Sequence, residues 1–409
     1  MQQSQPISNP RAPALARKPR IALFSGNYNC LPDGANQALN RLVAFLESDG
    51  FAVRVYSPVV PYPAFEPAGE LVGVRSIPFP GRGEYRVAVG LPAETRRDLD
   101  AFAPDIVHVS APDPLGRAAQ RYAADRRIPI VASLHTRFET YFEFYGLGFV
   151  RGMIERYLQR FYRRCDLVFA PNRPMAEMLV DDGVDPARIA IWSRGVDRQK
   201  FDPARRSLAW RAAHGIADSD LAVLFFGRLV REKGIADFAA TLARAALPNV
   251  RPVVVGEGPA HGEFARCLPG AVFTGHLSGN ALGEAVASAD VLLNPSATEA
   301  FGNVNLEAMA AGLAVISADA PSGRALIEPG RTGLLVAPGD IDGYAAALTT
   351  LADNKAFRTR LGQAAREESA RYDWDAASAD VAAGYFEVIR PKPAKAAISR
   401  RRRQGLSAA

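Results

Sequence analysis

The sequence predicts an α/β protein built as two doubly wound halves. Three observations carry that prediction. Short apolar runs with strand character alternate with segments whose apolar residues follow helical spacing. Glycine-containing turns close many of the strand-like runs, where such a fold places its ligands. The pattern begins near residue 20 and begins again near residue 221, and 409 residues favour two domains or more.

The first series opens with Arg20 to Ser25, followed by a loop holding Gly26-Asn27-Tyr28 and Pro32-Asp33-Gly34. Leu39, Leu42, Val43 and Leu46 mark a helix over 38–46, and Phe51 to Tyr56 is the second strand. The loop lacks the G-x-G-x-x-G spacing of dinucleotide binders, which argues against a nicotinamide enzyme. Asp105 to Val109 and Ile128 to Leu134 are further strands. The latter runs into His135, at a carboxyl end that faces the cleft of a doubly wound domain. Position alone leaves a structural role open for this histidine.

Val150, Met153, Ile154, Tyr157, Leu158 and Phe161 share one face of a helix rich in arginine. Such a helix suits a membrane interface. The following strand, Asp166 to Ala170, favours the other reading, in which the apolar face covers the sheet. The preceding aromatic loop, Tyr141 to Tyr145, is the better acceptor or membrane edge. Trp192 to Asp197 closes the first half.

The second series begins with Leu221 to Phe226 and the turn Gly227-Arg228-Leu229-Val230-Arg231-Glu232-Lys233-Gly234. A guanidinium fork and an amine converging at one strand end suit a diphosphate. Val253 to Val255 leads into Gly256-Glu257-Gly258-Pro259, and Val272 to Leu277 is another strand and turn. Asn294 to Ser317 then reads NPSATEAFGNVNLEAMAAGLAVIS, a polar turn, a helix and a strand. Glu299 falls in the turn and Glu307 about one and a half turns into the helix. Phe301, Gly302 and Asn303 bring unpaired amides to the helix start, which attracts anions. Amides for a phosphate and two carboxylates for hydroxyls suit a phosphorylated sugar. Ordinary helix-start and surface charges are the alternative. Arg371 to Trp374 precedes a last helix running to about Ile389.

Composition narrows the classes. A chain 48% hydrophobic and 22% charged is an ordinary globular mixture, without the ~20-residue apolar run of a membrane span. The first twenty residues lack the apolar block of a signal peptide, so a cytoplasmic protein is expected, peripheral on the inner membrane face if it binds membrane. Three scattered cysteines, Cys30, Cys165 and Cys267, have no metal-site spacing. Four basic residues in 1–20 and six in 391–409 carry the net +6. Subtracting those ten charges leaves 21–390 at −4. The basic tails are expected to be disordered and to suit an anionic membrane surface. The acidic body argues against nucleic acid.

Taken together, GRLVREKG at 227–234, VGEGP at 255–259 and EAFGNVNLE at 299–307 followed by AMAAG resemble the retaining glycosyltransferases of family four. The likeness runs over roughly residues 20–390. It implies the GT-B fold: two Rossmann-like domains facing across a cleft, with the last helix crossing back to the first. The domains are expected at 20–195, joined by the crossover helix 374–390, and at 196–373, with tails at 1–19 and 391–409.

The resemblance also implies roles. Arg228 and Lys233 hold the donor diphosphate, and Glu307 accepts from the ribose hydroxyls. Glu299, with the backbone of Phe301, Gly302 and Asn303, holds the donor sugar and its phosphate. Gly34 lets the first-domain loop approach the phosphates, Leu277 lies by the base, and His135 contacts the sugar near the reacting carbon. Pro32-Asp33-Gly34 departs from the paired glycines of many members. No Asp-x-Asp motif stands at a plausible strand end, so no metal or other cofactor is expected. The expected activity moves a hexose from a nucleotide sugar, GDP-mannose or a UDP-sugar, to a lipid or lipid-linked acceptor. A nucleotide-sugar epimerase of the same fold, transfer to a polysaccharide or soluble acceptor, and a binding protein without catalysis are the alternatives.

Overall fold

The computed structural model describes residues 17–31, 33–79, 82–135 and 151–389, without the side chains of 82–84. The aromatic loop 141–145, Pro32 and nearly all of both basic tails lie outside the described residues.

Two parallel sheets form the molecule. The first has the strand order β3-β2-β1-β6-β7-β8-β9. Its members are β1 (Arg20–Phe24), β2 (Ala52–Ser57), β3 (Glu70–Gly73), β6 (Ile106–Val109), β7 (Ile130–Ser133), β8 (Leu167–Ala170) and β9 (Ile189–Ile191). Between β3 and β6 the chain makes an antiparallel hairpin, β4 (Ser76–Phe79) and β5 (Arg82–Ala88). The sequence reading did not anticipate it. The second sheet is ordered β12-β11-β10-β13-β14-β15. It comprises β10 (Leu221–Phe226), β11 (Val250–Val255), β12 (Val272–Gly275), β13 (Val291–Asn294), β14 (Ala314–Ala318) and β15 (Leu334–Val336). Central strands such as β6, β7, β8 and β13 are buried along their whole length, which is why they read as unbroken apolar runs.

Helices leave the carboxyl ends of these strands under side-chain caps. Asp33 accepts from the Asn36 amide to start the helix Gly34–Ser48. Asp113 accepts from Gly116 N to start Pro114–Arg126, and Asn172 from Met175 N to start Arg173–Asp181. Each such cap stabilises its helix by about 1 kcal/mol. Two of them lie against the other lobe, Asp33 through Gly34 beside Asn303 and Asn172 beside Ala300.

The helix Trp374–Ile389 returns to the first lobe. Ala377, Val381, Ala382 and Tyr385 pack with Ile21, Leu23, Leu39 and Phe169 in one core. Gly384 permits this, since a Cβ there would lie 2.7 Å from Phe169 Cζ. The two connections between lobes run side by side, with Val196 N donating to the Tyr372 carbonyl at 3.1 Å. The helix Arg151–Tyr162 covers the sheet only at its end. Phe161 and Tyr162 are buried, whereas Met153 is 60% and Tyr157 37% exposed. The expectation that its whole apolar face covers the sheet is corrected to that extent.

Candidate active site

In the second lobe the ends of β10 and β11 are drawn together by glycine. Gly227 (φ +134°) and Gly256 (φ +137°) occupy conformations that side chains disfavour. A Cβ on Gly256 would lie 1.9 Å from the Gly227 carbonyl oxygen. The backbone therefore passes closely enough to present Arg228 and Lys233 from one short turn. The next loop, from Asn294 to Gly302, is pinned to that turn. Ser296 Oγ and Thr298 Oγ1 both donate to the Glu232 carbonyl, at 3.4 and 3.2 Å. Below it Asn294 Nδ2 donates to Asn305 Oδ1, and Asn305 Nδ2 to Ser317 Oγ. The polar letters of NPSATEAFGNVN are thus a scaffold. Its product is an ion pair between Lys233 and Glu299, with 26% and 15% of the two side chains exposed.

Gly302 (φ +90°) starts the helix Asn303–Ala310, which carries Glu307. Burial pushes the Glu307 carboxyl up to about 7. Lys200 and Arg41 oppose the rise and Glu299 adds to it. Arg41 comes from the first lobe, so this carboxylate faces both.

The first lobe meets the cluster directly. A Cβ on Gly34 would lie 2.2 Å from Asn303 Nδ2, so the starts of helices Gly34–Ser48 and Asn303–Ala310 face each other at contact distance. Both direct free amides into the gap. Burial raises the Asp33 carboxyl, and the Asn36 amide, Arg228, the Ala35 amide and Lys233 pull it down. Arg228 Nη1 donates to Tyr85 Oη at 2.5 Å, and its guanidinium lies 5.1 Å from the Tyr85 ring centroid. Tyr85 sits on β5. Asn27 holds that strand by accepting from Arg86 N and donating to Arg86 O.

His135 follows β7. Its Nδ1 lies 2.8 Å from Arg194 Nη2, its ring meets Trp192 edge to face, and its Nε2 is enclosed without a partner among the described residues. Arg194 lies 5.9 Å from the Phe301 ring centroid, joining the histidine to the donor loop. Asn172 adds a second tie across the lobes. Its Nδ2 donates to the Ala300 carbonyl at 2.8 Å, beside Glu299.

The structure thus gathers Gly34, Arg228, Lys233, Glu299, Phe301, Gly302, Asn303 and Glu307 around one interlobe gap, with His135 reached through Arg194. Leu277 stands apart, two residues beyond the edge strand β12, packed on the apolar core of its own lobe. Four polar residues given no role from sequence belong here. Asp33 was visible as a departure from paired glycines. Asn172 had the signal of a cap before a helix, and Arg194 only its place in Trp192 to Asp197. Tyr85 had none.

Two parallel-sheet lobes with cations, amides and carboxylates at facing strand ends define a GT-B glycosyltransferase. Residues 32–200 match the model for Glycosyltransferase Family 4, and residues 220–354 that for Glycosyl transferases group 1. A sulfoquinovosyl transferase, SQD2, of Arabidopsis thaliana is 30% identical over 92% of this chain and 74% of its own. A GDP-mannose-dependent alpha-mannosyltransferase of Mycolicibacterium smegmatis is 32% identical over 90% of this chain and 97% of its own. A phosphatidyl-myo-inositol mannosyltransferase of the same organism is 30% identical over 88% and 91%. Among solved structures, sucrose-phosphate synthase from Thermosynechococcus elongatus superposes with a TM-score of 0.73 at 19% identity, over 90% of this chain and 99% of its own. The chain belongs to glycosyltransferase family 4 and is a hexosyltransferase.

Proposed function

We propose that this enzyme moves a hexose, with retention of configuration and without a metal, from a nucleotide-diphosphate sugar to a lipid or lipid-linked acceptor at the cytoplasmic membrane face. The observation that carries the reading is the convergence of Arg228, Lys233 and two helix starts on one gap bordered by Glu299 and Glu307.

The roles follow from charge. Breaking the sugar–phosphate bond leaves negative charge on the diphosphate and positive charge on the anomeric carbon. Fixed cations and amides at the diphosphate favour that transition state over the ground state. Arg228 and Lys233 supply the cations, and Gly34 and Gly302-Asn303 the amides. Glu307 accepts from the ribose, and Glu299 and His135 hold the sugar. The acceptor attacks on the face the leaving group departs, and the leaving phosphate takes its proton.

Two relatives whose names specify GDP-mannose or phosphatidyl-myo-inositol support a mannose-type donor and a lipid acceptor. A basic groove supports the membrane face. Arg117, Arg156, Arg160 and Arg164 line a hollow of about 400 Å³ with exposed Met153 and Tyr157 beside them. None of the four arginines ion-pairs with a carboxylate among the described residues. Like charges one helical turn apart cost local stability, and an anionic surface offsets that cost. No helix among the described residues is long and apolar enough to cross a membrane.

The test is to incubate the protein with a panel of GDP- and UDP-sugars and a membrane lipid extract. One nucleotide should be released while one lipid gains the mass of a hexose. An epimerised nucleotide sugar, or transfer to soluble saccharides alone, would contradict the proposal.

A further inference from the structure

Arg194 is 4% exposed and forms no ion pair with a carboxylate among the described residues. Its Nη1 donates to the Trp192 and Ser193 carbonyls at 2.9 and 3.1 Å, and its Nη2 to His135 Nδ1 at 2.8 Å. The rings of Trp192 and Phe301 flank it, at 4.7 and 5.9 Å from their centroids. An enclosed guanidinium held, among the described residues, by neutral groups is costly to bury, which calls for a role beyond packing.

Its one side-chain hydrogen bond among the described residues indicates what it serves. A guanidinium has donors and no acceptor, so the contact requires a free lone pair on Nδ1. The ring proton must then sit on Nε2, the atom that is enclosed and unpartnered. We propose that Arg194 is a positioning residue that locks His135 in the neutral Nε2–H form, making it a fixed hydrogen-bond donor to a substrate oxygen and barring it from acting as a base. The substrate side of this rests on the proposed function; the tautomer does not.

Among the described residues, the charged and titratable groups facing His135 are Arg194, from the segment after β9, and His108, from β6. Burial foremost, then both of these, holds the imidazole well below its ordinary range. Burial pushes Arg194 down to about 9, so it still carries its charge at neutral pH.

Nitrogen-15 spectra of the histidine-labelled full chain test the lock, with His135 assigned by the resonance lost in His135→Asn. The expected pattern is a protonated Nε2 and a bare Nδ1, unmoved from pH 5 to 8. A proton on Nδ1, or titration in that window, overturns the proposal. As a second arm, Arg194→Met should turn over about 10- to 100-fold more slowly, and its His135 nitrogen-15 pattern should shift toward a mixture of the two neutral tautomers, because burial still keeps the ring uncharged. Arg194→Lys, which keeps a donor, should restore most of the rate. A folded Arg194→Met with the wild-type rate and the wild-type nitrogen-15 pattern contradicts the lock. If that variant does not fold, the wild-type spectrum decides. A wild-type protein that shows the expected spectrum but transfers no hexose would defeat the proposed function and leave the lock standing.

Discussion

Two histidines stand near the ends of neighbouring strands in the first lobe, and their surroundings separate them. His108, on β6, is wholly buried and has both ring nitrogens satisfied, Nδ1 by Tyr385 Oη at 2.6 Å and Nε2 by Ser133 Oγ. It fastens the returning helix Trp374–Ile389 to the sheet. His135, just beyond β7, has one nitrogen satisfied and one open. Both rings meet the same Trp192, with centroids 6.3 and 5.1 Å away. The difference lies in the partners. A histidine with a complete set of hydrogen bonds has nothing left to offer a ligand, whereas one with a buried donor unspent does.

The comparison is sharpened first by a benchmark that touches neither ring. Lys233→Ala should lower the transfer rate by at least ~100-fold, the scale of one strong transition-state contact. Steady-state kinetics on the folded variant that gave an unchanged rate would remove Lys233 from the site. His135→Ala should cost about 10- to 100-fold in kcat, with a lesser loss of stability from leaving Arg194 without its side-chain acceptor. His108→Ala should reverse that pattern. It leaves Tyr385 and Ser133 unpaired in the core and should cost about 3 kcal/mol of stability in denaturant titrations, with kcat changed only a few-fold. The comparison breaks if the two variants exchange phenotypes.

Acidity separates them further. Burial pushes His108 down to about 3, below its unfolded value near 6.5, so the fold favours the neutral ring. Its contribution to stability is complete above pH 6.5 and fades as pH falls toward 3, by up to ~1.4 kcal/mol per unit. Replacing His108 should flatten that part of the acid profile. Glu307 has the opposite sign. Its folded carboxyl lies at about 7, above the unfolded value, so stability is lost as pH rises from about 4.5 through 7. Glu307→Gln should therefore raise the melting point slightly at pH 8 and leave it unchanged at pH 4. Its nucleotide affinity should fall about tenfold, the worth of a hydrogen bond to a charged group. Calorimetry giving equal affinity would count against the ribose role.

Much of this was legible in the sequence, for physical reasons. Strands buried on both faces announce themselves as apolar runs, and a doubly wound sheet fixes which end of each strand carries the site. Lys233 and Glu299 could each be placed at a strand end from their loops, but the sequence does not show the ion pair between them. Other features depend on contacts made at long range. The hairpin β4–β5 is interrupted by prolines at 78 and 80 and sits outside the main sheet, so its strands have no strong pattern. Tyr85 gains its meaning only when the lobes face each other and bring it to Arg228. Asn172 reads as a cap, and the sequence cannot show that its free amide reaches Ala300 in the other lobe. Arg194 is one arginine among many until its neighbours are known.

The central claim is that one nucleotide-diphosphate sugar bridges the strand end carrying Arg228 and Lys233 and the helix carrying Glu307. A crystal structure of the protein soaked with the donor it turns over would test this most directly. The account predicts the diphosphate between Arg228, Lys233 and the helix starts at Gly34 and Asn303, with both ribose hydroxyls on Glu307. A nucleotide bound with its diphosphate outside this gap would contradict it.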